Sequence, residues 1–277
     1  MEARGVALVT GASRGLGRAI ALDLAEAGFE VVASMRDPDA GWDLPGLAAD
    51  QGGALRVARL DVCEPGSIQI PSGLRVLVNN AGLECEYLPV EHQPIEQWRA
   101  VFETNLFGLL EVTRRAIPVL RASGGGVVCN ITSSSYLAAI PFYCAYRASK
   151  AAVGILSDGL RAELAPFGIR VVEVLPGPIE TDMLANSERV PEAARHPEYR
   201  AMAEAMAAAR EGVRSHYTAA TAAARAVRQA ILDDGAPLRN GCDPLGQGLL
   251  DAWRRHSDEE LMRKTGGDAA EYRRAST

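Results

Sequence analysis

Residues 6–17 read VALVTGASRGLG, a short apolar run followed by a turn that contains three glycines. The apolar run is typical of a buried parallel strand, and residues 19–25 have the spacing of a helix that stops at Gly28. A strand, a glycine-rich turn and a helix are the context that a dinucleotide-binding fingerprint requires, because glycines let the backbone approach a pyrophosphate at the helix N-terminus. The segment therefore predicts nucleotide binding, and the alternative is an ordinary glycine-rich turn.

Further apolar runs predict that the parallel sheet continues along the chain. The expected strands are residues 30–36, 55–62, 76–78, 126–134 and 170–175. Apolar residues at helical spacing occupy residues 95–122, and a second long helix carries Tyr146 and is stopped by Pro166 and Gly168. Residues 64–73 contain too many prolines and glycines for a regular helix.

The pattern changes after Thr181. Residues 192–211 are rich in alanine and methionine, which suits a helical lid in a substrate-binding lobe of about residues 182–217, although plain helix packing explains it equally well. The chain contains no repeat and no low-complexity linker, so we expect a single domain over residues 1–277. The remaining expectations are a helix at 218–233, turns at 235–248, a short last helix starting at the capping-box spacing of Ser257 and Glu260, and a flexible tail at 266–277.

Composition excludes several kinds of partner. The chain has 29 Lys and Arg against 35 Asp and Glu, a net charge of −6, and no basic block, which argues against nucleic acid or an anionic membrane. No apolar run approaches the roughly 18 residues of a membrane span. The five cysteines form no close-spaced pairs, so we expect neither a disulfide framework nor a metal site. With a strand starting at once and no room for a signal peptide, we expect a cytoplasmic protein.

The end of the second strand predicts which cofactor is bound. In NAD-binding folds an acidic residue at this place holds the ribose 2′-hydroxyl. Here the place holds Met35, followed by Arg36, whose guanidinium suits the 2′-phosphate of NADP. Arg14 in the glycine turn adds a second positive charge, whereas Asp37 is the argument for NAD. We therefore expect NADP(H), with NAD(H) as the less favoured cofactor.

The segment YRASK places Tyr146 four residues before Lys150, so both lie on one face of a helix. A lysine ammonium beside a phenol favours the phenolate and lowers the tyrosine pKa, which lets the tyrosine act as an acid or a base near neutral pH. The alternative is a chance pair on the surface. Asn105 is an amide on the apolar face of the 95–122 helix, where it is either a satisfied structural amide or a site residue.

Taken together, these motifs resemble those of the short-chain dehydrogenase/reductase family. The resemblance covers residues 5 to about 181 and rests on the order and spacing of TGASRGLG, LDV at 60–62, NNAG at 79–82, TNLFG with Asn105, NITS at 130–133, YRASK and PGPIET at 176–181. It implies an α/β fold with a doubly wound parallel sheet, known as a Rossmann fold. The chain departs from the family pattern between Asp61 and Asn79, where the usual helix is broken.

The resemblance also implies roles for individual residues. Tyr146 is the general acid/base, Ser133 hydrogen-bonds the substrate oxygen, and Lys150 lowers the Tyr146 pKa and holds the nicotinamide ribose. Asn105 anchors a water that links Lys150 to solvent. The residues implied in cofactor binding are Gly11, Ser13, Arg14, Gly15, Leu16 and Gly17 at the phosphates, Asp61 and Val62 at the adenine, Asn80, Ala81 and Gly82 at the ribose, and Pro176, Gly177, Ile179 and Thr181 near the nicotinamide.

The leading functional hypothesis is an NADP(H)-dependent ketone reductase or alcohol dehydrogenase for an apolar small molecule. The apolar candidates near the cleft are Leu137, Ile140, Phe142, Met183 and Met202. The alternative is reduction of a 3-oxoacyl thioester or a polyketide. A non-catalytic NADP sensor is the remote alternative, because the chain has both Tyr146 and Lys150. The family resemblance also implies a homodimer or homotetramer formed through the helices 95–122 and 146–165.

Overall fold

A computed structural model describes residues 1–181, 190–212 and 214–265. Its centre is a seven-stranded sheet in which every neighbouring pair is parallel, in the order β3-β2-β1-β4-β5-β6-β9. The strands are β1 (Val6–Thr10), β2 (Glu30–Met35), β3 (Ala54–Arg59), β4 (Leu74–Asn79), β5 (Gly126–Ile131), β6 (Ile169–Leu175) and β9 (Arg239–Gly241), while β7 (Ile179–Glu180) and β8 (Thr218–Ala219) form a separate parallel pair. The strand order reverses between β1 and β4, which is where open parallel sheets bind ligands.

Helices cover both faces of the sheet. They are α1 (Gly15–Glu26), α2 (Leu44–Asp50), α3 (Ile95–Phe102), α4 (Leu109–Ala122), α5 (Cys144–Leu164), α6 (Arg200–Gly212), α7 (Ala220–Leu232), α8 (Pro244–Arg255) and α9 (Asp258–Thr265). Alternate residues of one strand enter different cores: Val9 packs in a cluster with α1 and α7, and Leu8 packs in a cluster with α4 and α5. This period of two explains the near-continuous apolar runs of the central strands. The predicted doubly wound fold is confirmed.

The first two thirds of the chain follow the predicted elements, except that helix α2 was not predicted and the 95–122 helix is interrupted. Residues Glu103–Gly108 form a π-helical segment between α3 and α4. The extra residue of a π turn shifts the apolar stripe, and such segments are frequent at functional sites. Between Asp61 and β4 the only helical turn is the short 3₁₀ segment Pro65–Ser67, so the prediction of a broken helix there is confirmed.

The C-terminal third departs more from prediction. α6 begins at Arg200 and not at residue 192, because Pro191 and Pro197 lack the N–H that a helix interior needs and the chain forms two 3₁₀ turns there. Strand β9 and the start of α8 lie within 235–248, which was wrongly expected to be turns. The capping box of α9 is confirmed, with Ser257 and Glu260 exchanging hydrogen bonds of 3.1 and 3.3 Å. The predicted tail at 266–277 lies outside the described residues.

Candidate active site

The glycine turn after β1 is held in close contact with the end of β4. Gly11 and Gly15 have φ of 65° and 56°, in the left-handed region that favours glycine. A Cβ on Gly17 would lie 2.2 Å from Asn80 Nδ2 and 2.4 Å from the Gly11 carbonyl oxygen. Asn80 Nδ2 in turn donates to the carbonyls of Thr10 and Gly11, both at 3.0 Å. The turn is therefore built around an approach that only glycine permits.

The glycine turn lies against two other segments that were predicted to bind the cofactor, the NNAG motif and the PGPIET motif. A Cβ at Gly11 would lie 2.8 Å from Ala81 Cα, and one at Gly15 would lie 3.2 Å from the Thr181 methyl carbon. Around the turn, Ser13 and Leu16 are half-buried and Arg14 is exposed. Helix α1 starts here with no acidic residue in its first turn, so its N-terminus keeps the positive potential that attracts phosphate.

The ends of β2 and β3 hold the other predicted cofactor residues. Met35 is buried against Gly41, whereas Arg36 is exposed. Asp37 caps the following 3₁₀ turn, with its carboxylate accepting the Asp39 N–H at 3.1 Å. After β3, Asp61 accepts the Cys63 N–H at 2.9 Å, and Val62 packs against the π segment at Gly108.

The loop that follows β6 is tied to its neighbours by backbone groups. The Pro176 carbonyl accepts the Ser134 N–H at 2.9 Å, and the Gly177 N–H donates to Asp243 Oδ2 at 2.6 Å. Ile179 is buried in β7, in the core cluster that includes α1.

Asn105 lies in the π segment with its side chain fully buried and hydrogen-bonded. Its Oδ1 accepts the Leu83 N–H at 2.7 Å, and its Nδ2 donates to the Leu83 carbonyl and to Ser149 Oγ, both at 2.9 Å. The amide thus fixes the backbone of the loop after β4. Of the two roles expected for Asn105, these contacts describe the structural one, and its function as a water anchor stays a prediction.

Ser133, Tyr146 and Lys150 meet at the carboxyl end of β5. Tyr146 lies in the first turn of α5, and Ser133 faces it from the end of β5. Ser133 Oγ donates to Ser135 Oγ at 2.8 Å. Lys150 Nζ donates to the Ile131 carbonyl at 2.9 Å and lies 5.6 Å from the centroid of the Tyr146 ring. The next residue, Ser134, is placed differently, since it is buried and its N–H donates to the Pro176 carbonyl.

The pKa of Tyr146 differs from expectation. Burial raises the pKa of Tyr146 above its ordinary value, the charge of Glu84 raises it further, and the polar side chains of Ser133 and Tyr143 act in the opposite direction. The lowering of this pKa by Lys150 stays a prediction: its ammonium lies 5.6 Å from the centroid of the Tyr146 ring and donates to a backbone carbonyl. Burial lowers the pKa of Lys150 itself to about 8, against the opposing charge of Glu173.

Sequence analysis missed a cluster of polar aromatic residues beside Tyr146. Tyr143 stacks on Tyr146 with ring centroids 4.7 Å apart, and Tyr87 stacks on Tyr143 at 4.6 Å. The hydroxyls of Tyr87 and Tyr143 both donate to Glu84 Oε1, the second at 2.5 Å. An acidic residue two positions after the NNAG motif was the available signal in the sequence.

Apolar residues from the predicted lobe and from the loop before α5 cover this cluster. Met206 of α6 is buried against the tyrosines, and Phe142 is buried beside them with a φ of 62°, an uncommon conformation for a bulky residue. Ile140 and Met202 pack against the same cluster, as expected of cleft residues. Leu137 does not, since it packs with Leu175 and Leu250 in another cluster, which corrects its assignment. The fifth candidate, Met183, lies outside the described residues.

One group in the described part of the chain has the composition of a metal site. The ligating atoms of His92, His196 and Glu198 lie within 4.8 Å of one another. The two imidazole rings stack at 3.8 Å with an angle of 8° between their planes, so their nitrogen lone pairs do not converge on one point. The arrangement is that of a stacked histidine pair beside a carboxylate.

Comparison with known proteins identifies the class to which this site belongs. Residues 5–191 match the family described as short chain dehydrogenase. The chain is 35% identical over 196 residues to 3beta-hydroxysteroid dehydrogenase 1 from Eggerthella lenta, a match that covers 67% of this chain and 75% of the relative. The chain therefore belongs to the short-chain dehydrogenase/reductase family of oxidoreductases.

Solved structures share the fold over nearly the whole chain. A short chain dehydrogenase from Burkholderia cenocepacia in complex with NADP is 29% identical, with a TM-score of 0.74 over 95% of this chain and 98% of its own. A short chain dehydrogenase/reductase from Burkholderia phymatum in complex with NAD is 27% identical, with a TM-score of 0.76 over 94% of this chain and 96% of its own. Within the described ranges, no helix has the length and apolar character needed to cross a membrane.

Proposed function

We propose that the protein is an NADP(H)-dependent oxidoreductase that interconverts a ketone and a secondary alcohol of an apolar small molecule by hydride transfer. The observation that supports the proposal most is the meeting of Ser133, Tyr146 and Lys150 beside the glycine turn. A Cβ at Gly82, in the NNAG motif, would lie 3.5 Å from Lys150 Nζ. The acid/base group therefore lies next to the residues proposed to hold the ribose.

The residues present fit a nicotinamide dinucleotide. The N-terminus of α1 in the Gly11–Gly17 turn has no acidic residue in its first turn, and Asn80, Ala81 and Thr181 border the turn. Arg36 is exposed and follows the buried Met35. The Asp37 carboxylate accepts a hydrogen bond from the Asp39 N–H in the 3₁₀ turn that it caps. An exposed guanidinium and an engaged carboxylate favour a 2′-phosphate over a free 2′-hydroxyl. Similar structures in complex with NADP and with NAD are both known, so the preference for NADP rests on Arg36.

The dinucleotide supplies the hydride, and the side chains of this chain handle the proton and the charge on oxygen. In the direction of reduction, Tyr146 donates its hydroxyl proton to the substrate oxygen, while Ser133 donates a hydrogen bond to the same oxygen as negative charge develops there. In the direction of oxidation, Tyr146 accepts the proton. Lys150 holds positive charge close to the phenol, and Asn105 fixes the loop that follows the NNAG motif.

The surroundings of Tyr146 support the proposed substrate class. Phe142, Ile140, Met202 and Met206 present apolar surface around it, which suits a substrate with an apolar body. The hydroxysteroid dehydrogenase named above is a relative consistent with such a substrate. Ketoreduction of a thioester-linked substrate is the alternative that the experiment below tests. That the protein is cytoplasmic, forms a single domain and assembles as a homo-oligomer stays a prediction.

The proposal predicts turnover that depends on Tyr146. NADPH oxidation is measured against a panel of apolar ketones, aldehydes and thioester-linked 3-oxo compounds, with NADH in parallel. We expect turnover of an apolar ketone with NADPH, and a loss of at least about 100-fold in kcat for Tyr146→Phe, the typical size of a general-acid contribution. NADPH binding by fluorescence is the control and is expected to change little.

Different results point to different alternatives. Wild-type rates in Tyr146→Phe would overturn the mechanism. Turnover of the thioesters alone would support the 3-oxoacyl or polyketide alternative. NADPH binding with no turnover of any compound would favour the non-catalytic sensor.

A further inference from the structure

Glu84 is a carboxylate at the centre of the candidate site to which the proposed reaction assigns no role. It follows Leu83, whose N–H and carbonyl are both held by the Asn105 side chain. The loop therefore has little freedom at this point, and the carboxylate is directed into the tyrosine cluster. Burial raises the pKa of Glu84, while the hydrogen bonds from Tyr143 and Tyr87 and the charge of Arg210 lower it.

The three tyrosines form a stack with a cation at each end. The rings follow in the order Tyr87, Tyr143 and Tyr146, with angles of 19° and 16° between neighbouring planes. The Arg210 guanidinium lies 4.1 Å from the centroid of the Tyr87 ring, and Lys150 Nζ lies 5.6 Å from that of Tyr146. Glu84 joins the first two rings through one oxygen atom.

The hydrogen-bond direction within this stack is set by proton count. A tyrosine hydroxyl has one proton to donate, and Tyr143 donates it to Glu84. A nearby negative charge stabilises a protonated phenol over the phenolate, and the charge of Glu84 acts on Tyr146 in this direction.

We propose that Glu84 is a positioning residue for Tyr146: through its hydrogen bonds with Tyr87 and Tyr143 it holds in place the ring stack on which Tyr146 packs, and it sets a negative charge beside that stack. This inference rests on the proposed function, in which Tyr146 is the acid/base. Cys85, Ser133 and Lys150 are the other polar groups that face Tyr146 from the loop, the end of β5 and α5, and Arg210 faces the far end of the stack.

The substitution Glu84→Gln tests the inference because glutamine keeps the oxygen that accepts from Tyr87 and Tyr143 and removes the charge. Without the charge the phenolate costs less free energy, so the pKa of Tyr146 falls. Alcohol oxidation, which needs the phenolate as base, then rises to its plateau at lower pH. We expect the midpoint of log kcat against pH to move down by about one unit, a tenfold change in proton affinity.

Glu86→Gln is the matched control. Glu86 lies two residues away in the same loop, is exposed, and accepts from Gln97 at 2.9 Å. This variant is expected to keep the wild-type midpoint. NADPH affinity and melting temperature are measured for both variants. We expect both quantities to stay at wild-type values for Glu86→Gln. For Glu84→Gln we expect the NADPH affinity to stay at the wild-type value.

A second readout separates failure of this inference from failure of the proposed function. ¹³C-tyrosine NMR spectra, with the Tyr146 signal assigned from Tyr146→Phe, follow its titration without any substrate. A lower midpoint in Glu84→Gln by either method supports the inference. An unchanged midpoint overturns the inference even if wild-type turnover supports the proposed function. Absence of all wild-type turnover contradicts the proposed function, and the NMR titration alone then tests the role of Glu84.

Discussion

At the scale of single residues, Gly17 shows how closely the cofactor turn is packed. Its missing side chain leaves room for the Asn80 amide, which bonds to the carbonyls of Thr10 and Gly11. A methyl group there would meet the backbone oxygen of Gly11 as well as the amide, and a backbone atom cannot move aside as the end of a flexible side chain can. The turn must therefore shift if this glycine is replaced.

We predict that Gly17→Ala lowers both stability and cofactor affinity. Forcing a methyl group into a filled space costs on the order of 2 kcal/mol of stability. Displacement of the turn weakens NADPH binding by about tenfold or more, which corresponds to about 1.4 kcal/mol or more of binding free energy. Urea unfolding and fluorescence titration measure the two effects. Gly46→Ala in α2 is the matched control, because nothing lies within 4 Å of its Cβ position. Equal NADPH affinity in both variants would contradict the prediction.

Sequence patterns predicted some site residues better than others, and the reason is physical. Tyr146 and Lys150 share one helix, so a spacing of four residues was enough to place both on one side of it. Glu84 and Tyr143 are 59 residues apart and meet only because β4 and β5 end at the same edge of the sheet. Periodicity carries no information about such a pair. The raised pKa of Tyr146 depends on the burial of the whole cluster and was equally out of reach.

At the scale of elements, Asp243 links helix α8 to the loop that follows β6. Its Oδ1 accepts the Gly246 N–H at 2.8 Å as the N-cap of α8, and its Oδ2 accepts the Gly177 N–H at 2.6 Å. The side chain is buried, so both N–H groups depend on it. One carboxylate therefore starts a helix and anchors the segment expected near the nicotinamide.

We predict that Asp243→Ala destabilises the protein and weakens NADPH binding. Loss of the cap costs about 1 kcal/mol, and an unpaired, partly buried N–H at Gly177 adds on the order of 1 kcal/mol. Urea unfolding gives the stability, and fluorescence gives the affinity. Ser257→Ala removes the exposed cap of α9 and should cost about 1 kcal/mol without any change in affinity. If both variants bind NADPH as wild type does, the Gly177 contact does not position the loop.

The elements that sequence analysis missed are those whose partners lie far away in the chain. Strand β9 has the sequence Arg-Asn-Gly, with no apolar residue, and is a strand only because it pairs with β6. Helix α8 begins Pro-Leu-Gly-Gln-Gly, and its glycines indicate a turn when read alone. By contrast, the central strands are apolar on both faces, which identified them from sequence.

At the scale of the whole molecule, the two faces of the sheet have different surroundings. Helices α1 and α7 cover one face, and α4 and α5 cover the other. The π segment packs beside α4 and α5. Each of these three elements carries an exposed apolar side chain, Phe107 in the π segment, Leu110 in α4 and Ile155 in α5. Exposed apolar side chains grouped on adjacent helices are typical of surfaces that bind another protein, and a second copy of the chain is the partner that was expected from the sequence.

We therefore predict that the wild-type protein is a dimer or tetramer in solution and that Ile155→Glu shifts it towards the monomer. The Ile155 side chain is 69% exposed, so the substitution leaves the core of the monomer intact, while a charge at the centre of an apolar interface lacks a partner and opposes association. Light scattering coupled to gel filtration measures the mass of each species. Trp42→Glu is the control, since Trp42 is 82% exposed and lies next to α2, away from these helices. A wild-type monomer at micromolar concentration, or an oligomer that Ile155→Glu leaves intact, would show that this surface does not join two copies.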